Sequence, residues 1–172
     1  MAEILRSRNC IIFYKGDSTT VAVSSAMAAS GWAGGQGVQW AGIVGDDRIV
    51  TYSQGLFGGF MFWGSDERGD DYTAITRQQV AYRYATMFFG GCLIATSSYE
   101  SYTYASRIGG GGLVPLAYHP NDLLYLSLRG LWTKEDELTA SGNLAAPAPI
   151  VGYVAQLPKS TNRNYLGIQV SM

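Results

Sequence analysis

The strongest pattern along this chain is alternation of apolar and polar positions, the period-two signature of a half-buried strand. Leu124, Leu126 and Leu128 alternate with Tyr125, Ser127 and Arg129, and lead into a short strand at Leu131-Trp132. Leu166, Ile168 and Val170 share one side of a terminal strand whose other side carries Tyr165, Gly167 and Gln169. Cys10-Ile11-Ile12-Phe13-Tyr14 is short, β-branched and aromatic, and the turn dipeptide Gly16-Asp17 follows it. Further strands are expected over Thr19–Ser24, Val38–Val44, Ile49–Tyr52, Cys92–Thr96 and Ile150–Leu157, and within the glycine-punctuated aromatic stretch Gly55–Trp63. Gln79–Phe88 fits a helix begun at Ile75, but the alternation of its aromatics favours a strand, and Tyr99, Tyr102 and Tyr104 read as one more.

Turn signals separate these elements. Asp46-Asp47, the charged run Ser65–Asp71, Gly90-Gly91, Gly109–Gly112, Lys134–Glu137 (a solvated turn or short helix) and Ser160–Asn164 all interrupt the alternation. Ala145-Ala146-Pro147-Ala148-Pro149 is a stiff connector, because each proline fixes its own φ and holds its predecessor extended. Strands at this density, with no convincing helix, predict an all-β fold, a barrel or sandwich. One segment breaks the pattern. Ser25–Gly37 is built of small residues with too little apolar bulk for a core, and reads as an extended arm or long loop; a helix over Ser24–Ser30 is the alternative. The expected division is therefore residues 1–37, N-terminal strands and arm, and residues 38–172, a single β domain.

Composition narrows the chemistry. Among 172 residues there are one histidine, two cysteines, 12 basic and 13 acidic side chains, against 12 tyrosines, four tryptophans and 22 glycines. Acid–base, nucleophilic and metal chemistry need His, Cys, Asp, Glu or Lys gathered together, so binding and assembly are favoured over catalysis. No cofactor or metal is expected. A net charge of −1 with singly scattered Lys and Arg argues against nucleic acid as the main partner. The charge-free stretches lack the apolar density of a membrane span, and no secretory leader is legible, so the chain reads as made in a cytoplasm. Cys10 and Cys92 read as small buried hydrophobes and not as a disulfide framework.

Each candidate constellation is weak. Gly109–Gly112 is followed by Leu113-Val114-Pro115 where a phosphate loop needs Lys-Ser/Thr. Asp66, Glu67, Asp70 and Asp71 do not have calcium-loop spacing. His119 with Asp122 invites a catalytic dyad, but no nucleophile elbow exists, and a turn before the Leu124 strand is the plainer reading. Tyr99, Tyr102 and Tyr104 could offer a stacking platform for a glycan. Trp32 and Trp40, in or beside the small-residue segment, are bulky anchors of the kind that dock into a partner.

The C-terminal third carries a resemblance. Asp122-Leu123-Leu124-Tyr125-Leu126-Ser127 leads to Gly130-Leu131-Trp132-Thr133, then Ile150-Val151-Gly152-Tyr153-Val154, Pro158 and Asn164-Tyr165-Leu166-Gly167-Ile168-Gln169-Val170. This order resembles the closing strands of capsid decoration (cement) proteins of tailed bacteriophages. The resemblance implies a compact, β-tulip-like barrel or sandwich on the outside of a virion, binding the major capsid protein and itself as a homo-oligomer, commonly a trimer. It would give Trp32 and Trp40 the role of partner anchors and Arg6 and Arg8 that of salt-sensitive contacts. A tail or neck protein is the near alternative, and a glycan-binding β-sandwich the alternative from another class.

Overall fold

A computed structural model describes residues 4–45, 47–65, 84–142 and 147–172. The fold is all-β: a seven-stranded antiparallel sheet packed against a closed five-stranded barrel. The sheet runs β1 (Leu5–Arg6), β2 (Cys10–Tyr14), β8 (Leu93–Thr96), β12 (Leu166–Val170), β11 (Gly152–Gln156), β9 (Leu123–Leu126) and β10 (Trp132–Thr133) in spatial order. The barrel closes in the order β3 (Asp17–Val23), β5 (Asp47–Tyr52), β4 (Gly37–Val44), β6 (Gly59–Met61) and β7 (Tyr84–Phe89), with β3 and β5 parallel.

Alternation explains how two cores share a wall. Along β6 and the residue after it, Phe60 and Phe62 face the sheet core, while Met61 between them faces the barrel interior. β7 repeats the arrangement, with Ala85 and Met87 inside the barrel and Phe88 outside it. The sheet core gathers Ile12, Ile94, Leu124, Leu126, Trp132, Leu166, Ile168 and Val170, all fully buried. At its centre Trp132 meets Phe57 and Phe60 at ring separations of 5.9 and 6.1 Å. The smaller barrel core is Val21, Val38, Val50, Met61 and Met87, closed by Met27 and Trp32. Cys10 and Cys92 are buried and unbridged, as their sequence context suggests.

The extended arm is the main revision. Ser25–Ser30 is a helix, α1, capped by Ser24, whose hydroxyl accepts from the Met27 N–H at 3.2 Å. Met27 and Trp32 enter the barrel core, and the Trp32 indole donates to the Trp63 carbonyl at 2.8 Å. Small residues are needed there because backbone approaches so closely: a Cβ on Gly34 would lie 2.6 Å from the Phe62 carbonyl oxygen, and one on Gly35 2.0 Å from Thr96 Oγ1. What looks in sequence like a lack of core-forming bulk is tight packing of backbone onto neighbours.

The tyrosine strand is also revised. Tyr99 and Tyr102 make only isolated bridges, to Trp132 and Pro115, and Tyr104 opens a helix, α2 (Tyr104–Ile108), capped by Thr103. Of the solvated turn or short helix expected at Lys134–Glu137, a helix forms, α3 (Glu137–Ala140), with Glu137 fully buried at its start and not solvated. The charged run from Asp66 to Asp71 and the first half of the expected Gln79–Phe88 strand lie outside the described residues.

Candidate assembly surface

The polar groups with the most unusual surroundings form one cluster. Glu100, after β8, is 1% exposed; Glu137 is fully buried. Arg107 of α2 stands between them, donating from Nη2 to Glu137 Oε1 at 2.7 Å and lying 3.4 Å from Glu100 Oε1 through Nη1. Arg129, in the β9–β10 turn, donates from Nε to the same Glu100 oxygen at 3.1 Å and from Nη2 to Glu100 Oε2. The second oxygen of Glu137 has no hydrogen-bond partner. Burial pushes the Glu137 carboxyl up from its ordinary range, against the pull of Arg107, while the bond to Glu100 holds the Arg129 guanidinium firmly charged. Two stretches of chain, one carrying Glu100 and Arg107 and the other Arg129 and Glu137, are stapled together here. With both carboxyl groups buried and two guanidinium groups against them, the cluster is a structural brace, open to solvent on the Arg129 side.

His119 serves a turn. Its backbone N–H donates to Asp122 Oδ2 at 2.8 Å, its exposed ring stands 3.6 Å from the same oxygen, and Lys134 Nζ takes a third approach at 3.3 Å. Burial would raise the Asp122 carboxyl, but the His119 N–H and Lys134 outweigh it and hold it low. Asn121, at φ 68°, makes the turn that starts β9. Among the described residues no three His, Cys, Asp or Glu side chains gather as a metal set, and no helix is long and apolar enough to cross a membrane.

The three tyrosines do not build one platform. Tyr99 packs edge-on to Tyr118 at 5.7 Å and donates to the Asn164 carbonyl, whereas Tyr104 carries the Arg107 guanidinium over its ring at 5.6 Å. Tyr99 and Tyr118 do line an open cleft of about 350 Å³ with Ser101, Leu116, Leu157 and Pro158. Burial pushes both phenols above their ordinary range, so neither ionises near neutrality.

The predicted contact residues fall in three places. Trp32 is only 6% exposed and belongs to the barrel core, so it cannot be a free anchor. Arg6 lies on β1 at the edge of the sheet and Arg8 in the following turn, both exposed. They flank Ser7, whose hydroxyl donates to the Phe62 carbonyl at 2.8 Å beside the segment that holds Trp32. Of the two tryptophans, Trp40 is the exposed one, at 44%, and it rests on Gly58.

Around Trp40 the structure adds what sequence reasoning missed. Ile43 and Val44, at the end of β4, are 71% and 67% exposed, the highest values among the large apolar side chains of the described residues. A second apolar protrusion is the glycine loop after α2, where Ile108, Leu113 and Val114 are exposed around Gly110, Gly111 and Gly112, which have nothing within 4 Å of a would-be Cβ. The available signal was the absence of charge from Val38 to Gly45 beside a turn. Alternation alone does not say which face water sees. No protein family, curated protein or solved structure matches this chain.

Proposed function

We propose that this chain is a structural virion protein, a capsid decoration protein that binds the outer shell and stabilises it by bridging neighbouring subunits. The observation that carries the reading is a pair of apolar protrusions, Ile43-Val44 on the barrel and Ile108 with Leu113-Val114 beyond α2, on a chain with few charges. Bridging needs two contacts on each bridging unit, whether a single chain or a pair of chains, and contiguous exposed apolar groups are what a monomer ordinarily hides. The strand order of the C-terminal third supports the choice of a phage shell as the partner, and a tail or neck position is the near alternative. The mechanism is mass action: contacts made only with the assembled shell lower the free energy of that state. Quantitative mass spectrometry of purified particles tests it. A copy number in simple ratio to the major capsid protein is expected, and absence from particles would refute it.

A glycan-binding reading draws on the cleft of Tyr99, Tyr118, Leu116 and Pro158, whose size and aromatic walls suit a sugar ring. Titration with an oligosaccharide panel, reading Tyr99→Ala against the native chain, separates it from the first.

A further inference from the structure

The β4–β5 hairpin outgrows its barrel. β4 pairs with β6 only at Gly37 and Val38, and β5 with β3 only at Ile49 and Val50, but the β4–β5 ladder continues to Val44–Asp47. Beyond the rim β4 is the edge of a two-stranded ribbon: among the described residues no strand pairs with its outer side from Gln39 to Val44, although the loop residue Gly58, whose N–H donates to the Val38 carbonyl, lies against Trp40 at the start of that stretch. The backbone there is turned outward. The Val50 carbonyl accepts from the Ser24 N–H at 2.9 Å on the β3 side, so Trp40–Val50 is a non-hydrogen-bonded pair and Trp40 aims its own N–H and C=O away from β5.

A register shift between Trp40 and Gly42 changes the phase of the strand beyond it. Trp40 lies opposite Val50 and Ile43 opposite Arg48, two positions apart on β5, so Trp40 and Ile43 share a face and a backbone orientation. That face is the barrel's interior face, since Val38 and Val50 belong to it and are fully buried. The apolar side chains of β4 on this face therefore run past the rim into solvent, on an edge strand with neither proline nor charged residue of its own, the nearest charge on the face being Arg48 of β5 opposite Ile43.

We propose that this edge pairs antiparallel with the same edge of a second copy, about a two-fold axis between Ala41 and Gly42. Self-complementarity identifies the occupant. Gly37–Gly45 carries no charge, so two copies meet without like-charge repulsion. The two-fold sets Trp40 opposite Ile43 of the partner subunit and Ile43 opposite Trp40 of the partner subunit, giving two aromatic–β-branched cross-strand pairs. The pairing uses the Ile43-Val44 protrusion, so a pair of copies would meet the shell through its two Ile108–Val114 protrusions, one from each copy.

Sedimentation equilibrium of the full chain is the test, with Ile43→Lys as the variant and Ile108→Lys as the control. The native chain and Ile108→Lys should sediment at twice the chain mass at high micromolar concentration. Ile43→Lys should raise the dissociation constant about tenfold or more, because it places two ammonium groups on one interface. Should Ile43→Lys fail to fold, hydrogen exchange of the native chain decides: dilution to the monomer must strip protection from the Trp40 and Ile43 amides. A native monomer, a trimer unaffected by Ile43→Lys, or exchange at those amides independent of concentration overturns the pairing. None of those results touches the shell reading, which the particle copy number decides.

Discussion

The indole N–H of Trp132 donates to the carbonyl oxygen of Gly35 at 2.8 Å, joining positions 97 residues apart. Trp132 lies on the last strand of the sheet and Gly35 in the glycine turn that leads into the barrel, so this bond ties the two layers together at the centre of the larger core. Gly35 is held from three directions, since its N–H also donates to the Met61 carbonyl at 2.6 Å and its Cα faces Thr96. Only glycine satisfies that position, at φ 84° with Thr96 Oγ1 2.0 Å from any added Cβ.

Gly35→Ala should therefore be among the most damaging small substitutions in the chain. The strained φ and the contact with Thr96 act together, and a loss of about 2 kcal/mol or more is expected. Urea denaturation measures it. A midpoint unchanged from the native protein would show that the turn relaxes freely and that the Trp132 bond is no constraint.

Trp32→Ala tests the revised role of the small-residue segment. A buried tryptophan cut to alanine costs about 3–5 kcal/mol, here through loss of the barrel's closing side chain and its bond to the Trp63 carbonyl. The isolated protein should melt markedly earlier. Unchanged thermal unfolding with weakened self-association or shell binding would restore the arm and return Trp32 to the surface.

Glu137 should make stability fall as pH rises. Its carboxyl is raised by burial, so it favours the fold most when neutral: that contribution is complete below the ordinary Glu range near about 4.3 and is lost as pH climbs through the raised value. Glu137→Gln keeps the shape and an acceptor for Arg107, and should flatten this part of the profile. Asp136 has the opposite sign. Burial would raise it, but bonds from the Thr139 side chain and N–H and from the Ala148 N–H hold it low, so its contribution disappears as pH falls and the acid limb persists in the variant. Equal slopes in native and Glu137→Gln proteins between acid and neutral pH would contradict the account.

His119→Ala should be almost silent, within about 0.5 kcal/mol of the native stability, because the ring is exposed and the turn rests on its backbone N–H and Asp122. A folded His119→Ala protein that no longer assembles or binds would mean that the ring has a chemical role which its surroundings do not suggest.

The strand pattern was legible because burial on one face writes itself into alternate positions. Cys10–Tyr14 is β2 and Leu166–Val170 is β12, with Leu166, Ile168 and Val170 all buried on the predicted side. The turn at His119 and the buried, unbridged cysteines were legible for similar local reasons. β1 was not, since two residues, Leu5–Arg6, carry no period. Nor was the helix at Tyr104, where the Thr103 cap outweighs a strand-like composition.

Local pattern alone dictates that strands dominate, where most of them run, and that the chain carries few groups for chemistry. Which apolar residues are hidden is a property of the assembled fold. Trp32 and Trp40 stand eight positions apart and each is followed by Ala-Gly, yet one closes the barrel core and the other rests half-exposed on Gly58. The difference arises from where β6 and β3 stop pairing, since a strand's inner face is interior only as far as neighbouring strands continue beside it. Long-range pairing sets that limit, and no local pattern records it. The brace of Glu100, Arg107, Arg129 and Glu137 was invisible for the same reason: a charge is read as solvated until the fold places its counter-charge and removes the water.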